Sequence, residues 1–218
     1  MKLKLFSIRQ LLEKMLEAFK RFPVTILLAI AVSGIAIYLS GLNYPENSNA
    51  WKFYSMMMTG YLAAIGFIAL NLFIEQKEIF SPKKDIINIL ALLLFALYYI
   101  FLPEKLTALD FIRFALLAIG MHLLVAFAPF IKAGNINAFW QFNKSLFIRI
   151  LTGGIYSIVL YIGLALALLA IENLFGIKIH SKTYFRLWIV ITGIFNTWFF
   201  LGGIPKNFQS LEHETSYP

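Results

Sequence analysis

The chain reads as an all-α protein, a polytopic membrane helix bundle with six transmembrane helices behind an N-terminal amphipathic interfacial helix. Three observations predict this. Of 218 residues, 60% are apolar and only 14% are charged, against roughly 25% charged in a soluble domain. The mean hydropathy is +0.77, more apolar surface than a soluble fold can cover. The apolar residues also fall in continuous runs of about 20, the length that crosses a hydrocarbon core roughly 30 Å thick. A membrane barrel would instead show shorter alternating segments.

The net charge of +8 and pI near 9.6 have a simple source in such a protein, because cytoplasmic loops collect Lys and Arg. They do not call for a nucleic-acid partner. The sequence has no cysteine, which excludes disulfides, thiolate metal sites and a cysteine nucleophile.

Residues 1–21 form the first segment, with an amphipathic helix over 3–21. Leu5, Ile8, Leu12, Met15 and Phe19 recur every three or four positions, and Lys4, Arg9, Glu13, Lys14, Glu17 and Lys20 fill the other face. Such a helix suits the headgroup layer, with anionic lipid as a partner of its basic face. The alternative is a helix packed on the protein's own loops. The transmembrane domain spans 22–205. Its expected crossings are Phe22–Leu42, with Pro23 at the helix start, Phe53–Ile74, Ile86–Leu102, Asp110–Ile131, Leu146–Phe175 and Tyr184–Pro205. Gly60 and Ala64 stand one turn apart in the second, a spacing that lets helix backbones approach in lipid. Pro129 breaks the fourth near its end. Lys132–Ser145 reads as a loop and 206–218 as a polar tail. The stop at Tyr217-Pro218, with no terminal helix, reads as a truncation of something longer.

With the N-terminus inside, thirteen Lys and Arg fall on the inner side and six on the outer, of nineteen in all. That asymmetry predicts both termini in the cytoplasm, although six of the thirteen belong to the first segment.

Charge at the centre of a bilayer costs about 2.5–3.5 kcal/mol per residue on insertion scales, so intramembrane polar residues are functional leads. Asp110 and Arg113 open the fourth crossing, Glu172 ends the fifth and Arg186 opens the sixth. All four are expected near the outer surface as one ionic cluster, with Glu172–Arg186 the natural pair across the short loop. That cluster is either a ligand vestibule or a set of ion pairs fixing helix ends. His122 falls near the middle of the fourth crossing. It suits a proton relay, a ligand role, or a hydrogen bond to a neighbouring helix. It faces away from Arg113, nine residues earlier. Asn196, with Thr192 one turn before it, is expected to bond another helix. His180 and His213 fall on opposite sides of the membrane, so a three-histidine metal site is not expected. No metal ligand set, cofactor motif or catalytic residue is identified: HExxH, GxSxG and P-loop patterns are absent from the sequence.

The last two crossings form a hairpin around which the bundle is expected to be organised. Gly163, Ala167 and Ala170 line one face of the fifth crossing. Gly154, Tyr161, Ala165 and Glu172 line another. A helix that is small on two sides is expected to pack against two neighbours, which places the hairpin centrally. Three stretches carry a family likeness: 142–149 (FNKSLFIR), 170–177 (AIENLFGI) and 193–205 (GIFNTWFFLGGIP). Their order and wording resemble a family of bacterial multi-pass inner-membrane proteins catalogued only as a domain of unknown function. The resemblance implies the bacterial inner membrane and a longer parent chain; it implies no reaction and no catalytic residue.

Three functions stay open, in this order. The first is a non-catalytic membrane module of a larger envelope protein, acting as scaffold, assembly factor or sensor. The second is a transporter or channel for a small solute or proton, with His122, Glu172 and Asn196 on its path. The third is a lipid-modifying enzyme with a groove beside Glu172 and Arg186.

Overall fold

The computed structural model describes residues 8–42, 50–79, 82–131 and 135–212. They are helical apart from short connections, with no strand among the described residues. The helices are α1 (Ile8–Arg21), α2 (Pro23–Gly41), α3 (Ala50–Gln76), α4 (Lys83–Phe101) and α5 (Ala108–Phe127), which tightens into a 3-10 turn at Ala128–Phe130. They continue as α6 (Ile136–Phe175), α7 (Ser181–Ile189), a π-helical stretch at Val190–Phe195, α8 (Asn196–Leu201) and α9 (Phe208–Glu212). Six helical spans are long and apolar enough to cross a membrane: α2, α3, α4, α5 with its 3-10 turn, α6, and the continuous run from α7 to α8. The chain is a multi-pass integral membrane protein.

The best-buried of these spans is α3, two thirds of whose apolar stretch is enclosed. It packs against α2, α4 and α5. The α2–α3 seam is close because Gly60 has no side chain: a Cβ there would stand 2.6 Å from Val32. One turn on, the Ala64 carbonyl accepts the Thr25 hydroxyl at 3.4 Å. The Gly60/Ala64 spacing thus works as the sequence suggests.

The closing hairpin is not the centre of the bundle. Only one of the two small faces of α6 is occupied. Tyr161 packs edge-on against Trp188 at 5.2 Å, whereas Gly163, Ala167 and Ala170 are exposed and no atom stands near where a Gly163 Cβ would sit. The span α6 is 40 residues long, about 60 Å at 1.5 Å per residue. It outruns the helices beside it and, among the described residues, leaves its C-terminal half packed only on the α7–α8 run. Gly176, at φ +65°, supplies the left-handed residue that ends it.

The α1 end of the molecule differs most from the sequence expectation. The presumed 132–145 loop is helical from Ile136 onward, with residues 132–134 outside the described set. Ala138, Phe142 and Leu146 recur at four-residue spacing and are buried; the polar residues between them had masked that stripe. The presumed polar tail contains α9, whose Phe208 and Leu211 are buried. Phe142 and Phe208 stand 5.5 Å apart, and each packs on Phe130, at 5.5 and 6.1 Å. Glu212 then caps α6: its Oε2 accepts the Ala138 N–H at 2.8 Å and its carbonyl accepts Asn137 Nδ2 at 2.7 Å. A carboxylate is well placed there, because the first N–H groups of a helix lack partners inside it.

One residue gathers this end. Arg21 forks onto Glu75, donating from Nε at 2.9 Å and from Nη2 at 2.8 Å. The remaining donors reach the carbonyls of Ile204 at 2.7 Å and Pro205 at 2.9 Å. Helix α1 is thereby packed on the protein itself. Ala18 is buried, Phe19 stacks on Trp198 at 6.5 Å, and the Trp198 indole donates to the Met15 carbonyl at 2.9 Å. The expected apolar residues Leu5, Ile8 and Leu12 have side chains outside the described set. Replacing Arg21 by Ala is expected to lower the stability of the detergent-solubilised protein by about 2–4 kcal/mol, since it strands Glu75 and two carbonyls together. Arg21→Lys is expected to recover less than half of that, because an ammonium cannot make the fork; thermal unfolding followed by circular dichroism checks both.

Candidate functional site

The expected outer ionic cluster does not form among the described residues. Asp110 is committed to its own helix start. Thr107 donates to Asp110 Oδ2 from its backbone N–H at 2.9 Å and from its hydroxyl at 2.6 Å, a capping box closing the first turn of α5. Arg113 reaches Asp110 Oδ1 only at 3.5 Å, with its side chain 66% exposed. Glu172 accepts from the Tyr184 hydroxyl at 3.5 Å. Arg186 turns from Glu172 to α2, where Nε donates to the Ser40 hydroxyl at 3.1 Å, and Lys182 reaches the Gly41 carbonyl at 3.3 Å. The physical reason is the C-terminus of α2, whose free carbonyls and negative dipole end attract both cations. Asp110 and Arg113 therefore stay together at the start of α5, while Glu172 and Arg186 serve different partners.

The intramembrane polar residues behave differently. His122 and Asn196, on different helices, line one cavity of about 530 Å³. Its walls come from α2 (Thr25, Ala29, Val32, Ser33), α3 (Tyr61, Ala64, Ile65, Ile68), α5 (His122, Val125, Ala126), α6 (Asn143, Leu146, Phe147, Ile150) and the π–α8 region (Thr192, Gly193, Asn196, Thr197, Phe200). No Asp, Glu, Lys or Arg is in that lining. Glu172, expected on the same path, is not part of it.

The cavity exists because α5 and α6 meet only briefly. They touch near Ala126 and Asn143, where Asn143 Nδ2 donates across to the Ala126 carbonyl at 3.4 Å. Neighbouring side chains on both helices, Leu123, Phe127, Phe147 and Ile150, are more than half exposed, so this flank faces the hydrocarbon.

Polar groups in the wall are mostly satisfied along their own helices. Ser33 donates to the Ala29 carbonyl at 2.8 Å, Asn143 to Phe139 at 2.9 Å and Thr192 to Trp188 at 2.8 Å. This back-bonding is how short polar side chains meet their needs in an apolar medium. His122 does the same: Nδ1 lies 2.7 Å from the Ala118 carbonyl. A carbonyl only accepts, so Nδ1 carries the hydrogen and Nε2 is left over. Tyr61 lies beside it, ring centroids 6.2 Å apart. The expectation that His122 bonds a neighbouring helix is therefore not met, and it is exposed to the cavity instead.

The π stretch, which sequence patterning did not reveal, supplies Thr192 and Gly193 to the wall. Isolated π turns within α-helices concentrate at functional sites. Gly193 admits α2, since any Cβ there would overlap the Ser33 hydroxyl. Gly153 does the same for Asn196: its missing Cβ leaves room for Asn196 Oδ1. Asn196 thus packs against another helix through a glycine surface, which is not the side-chain hydrogen bond that its depth suggested. His180 caps the start of α7 by accepting the Lys182 N–H at 3.1 Å, and His213 lies outside the described residues.

Comparison with protein-family models, with curated proteins and with solved structures finds no match for this chain.

Gly193→Ala is expected to destabilise the protein by about 1–3 kcal/mol through overpacking on Ser33. Adding Ser33→Ala should recover at least half, giving a coupling above about 0.5 kcal/mol in a thermal-unfolding double-mutant cycle.

Proposed function

We propose that this protein is a non-catalytic membrane module, acting as a sensor or assembly factor, whose cavity at His122 holds an uncharged, membrane-soluble ligand. The observation that carries the reading is the lining itself. About 530 Å³ of space lies within the usual range for small-molecule sites, which are mostly apolar with a few placed polar groups. Here the polar groups are all hydroxyls, amides and one imidazole. An anionic headgroup would find no cation in that wall, and burying it unpaired is costly.

The same lining weakens the two alternatives. A proton path needs successive titratable groups, and the wall offers only Tyr61 and His122. A lipid-modifying centre at Glu172 and Arg186 needs those residues together, and they serve different helix ends. The Lys and Arg asymmetry supports a cytoplasmic location for the α1 end. The likeness of residues 142–205 supports the bacterial inner membrane. The exposed Lys20 of α1 suits anionic headgroups at that surface.

Mass spectrometry of the protein released intact from lipid nanodiscs tests the reading. The native chain is expected to retain an uncharged small molecule. Ala126→Phe, which fills the cavity from α5, is expected to lose it while keeping its helical circular dichroism. Retention of phospholipid alone, or equal retention by both proteins, would contradict the proposal.

A further inference from the structure

We propose that the ligand is a long-chain lipid alcohol whose hydroxyl is held between His122 Nε2 and the Tyr61 hydroxyl. This rests on the cavity being a ligand site and adds the chemistry of the group it selects.

Hydrogen-bond inventory leads there. Thr25, Ser33, Asn143 and Thr192 already donate to backbone carbonyls. Asn196 and Thr197 keep capacity at the α8 side of the wall, and His122 and Tyr61 are the neighbouring ring pair that keeps it at the α3–α5 side. With Nδ1–H committed to Ala118, the tautomer that carries its hydrogen on Nδ1 offers a lone pair on Nε2 and nothing to donate there. Among the described residues no hydrogen bond engages the Tyr61 hydroxyl, and the residue is 41% exposed. A phenol is a natural donor. The pair therefore presents one acceptor and one donor on neighbouring rings, centroids 6.2 Å apart, and a hydroxyl seated between them would bond each at about 2.8 Å.

The complementary group must donate and accept at one atom. An alcohol does both. A ketone or ester carbonyl only accepts, so it would satisfy Tyr61 and leave Nε2 empty. A phosphate ester brings charge into a wall that holds no cation. The chain of the ligand would run along the apolar walls, Ile65, Ile68, Phe147 and Ile150, toward the flank where α5 and α6 part.

The test uses three photoreactive probes sharing one sixteen-carbon chain with a mid-chain diazirine: the alcohol, its methyl ether and its phosphate monoester. Each is added to the full chain in nanodiscs, and labelling of α5 and α6 is measured by peptide mass spectrometry. The alcohol is expected to label about five-fold more than the ether, the equivalent of roughly one net hydrogen bond. His122→Phe is expected to bring alcohol labelling down to the ether level. Unchanged ether labelling in that variant shows that its cavity is intact. Tyr61→Phe is expected to lower alcohol labelling as well. If alcohol and ether label the native chain equally, the hydroxyl is not recognised and this inference falls while the cavity reading stands. If the phosphate labels more strongly than the alcohol, the assigned chemistry is overturned. If no probe labels the native chain above Ala126→Phe, the cavity reading falls and this inference with it.

Discussion

One guanidinium holds the α1 end of this molecule together. Arg21 joins the end of α1 to Glu75 at the foot of α3 and to the carbonyls of Ile204 and Pro205 beyond α8. Its own side chain is only 11% exposed, so each bond forms in surroundings where an unmet donor is expensive. A planar fork with five donors can serve a carboxylate and two carbonyls at once; a lysine cannot. Phe22, the next residue, is fully buried beneath that guanidinium, 4.9 Å from it. With α1, α3 and the end of α8 fixed in this way, the Phe130–Phe142–Phe208 cluster closes the same end around the start of α6.

The rest of the bundle inherits its shape from that fastening. Helices α5 and α6 are joined where the aromatic cluster and Asn143 hold them, and they separate beyond it. In water such a gap would collapse, because apolar surface is driven together. In lipid that drive is absent between helices, and packing depends on shape and local hydrogen bonds. An open flank is therefore stable, provided the polar groups facing it are satisfied. Ser33, His122, Asn143 and Thr192 achieve this by bonding carbonyls of their own helices. Glycine does the complementary work at the seams, where Gly60 meets Val32 and Gly193 meets Ser33. Arg149 follows the same economy of space on the other side of α6, lying over the Phe199 ring at 5.5 Å and against Gly203.

The membrane-spanning pattern was legible in the sequence because hydropathy over about 20 residues is set by the bilayer and little else. Helix ends agree with it to within a few residues, except where α6 begins. That exception has a cause. Ala138, Phe142 and Leu146 form a helical stripe, but Gln141, Asn143 and Lys144 between them lower the local hydropathy below that of a crossing. Phe208 and Leu211 were hidden in the same way by a short polar context. The site was half legible. His122 and Asn196 stood out by depth, and both line the cavity. Tyr61 did not, because a tyrosine in an apolar run reads as packing. Glu172 and Arg186 stood out by charge, yet Glu172 is taken up by the Tyr184 hydroxyl and Arg186 by Ser40 at the end of α2. The tie between Arg21 and Glu75, 54 residues apart, has no local signature at all.

The central claim is that the flank between α5 and α6 is an open, uncharged pocket in the bilayer rather than a surface that another part of the protein seals. A structure of the full chain in a lipid nanodisc, read at His122 and Tyr61, tests it most directly. The account predicts α5 and α6 parted beyond Ala126 and Asn143, with non-protein density lying along the apolar wall and ending between the two rings. A closed α5–α6 contact, with His122 packed inside it and no space beside Tyr61, would contradict it.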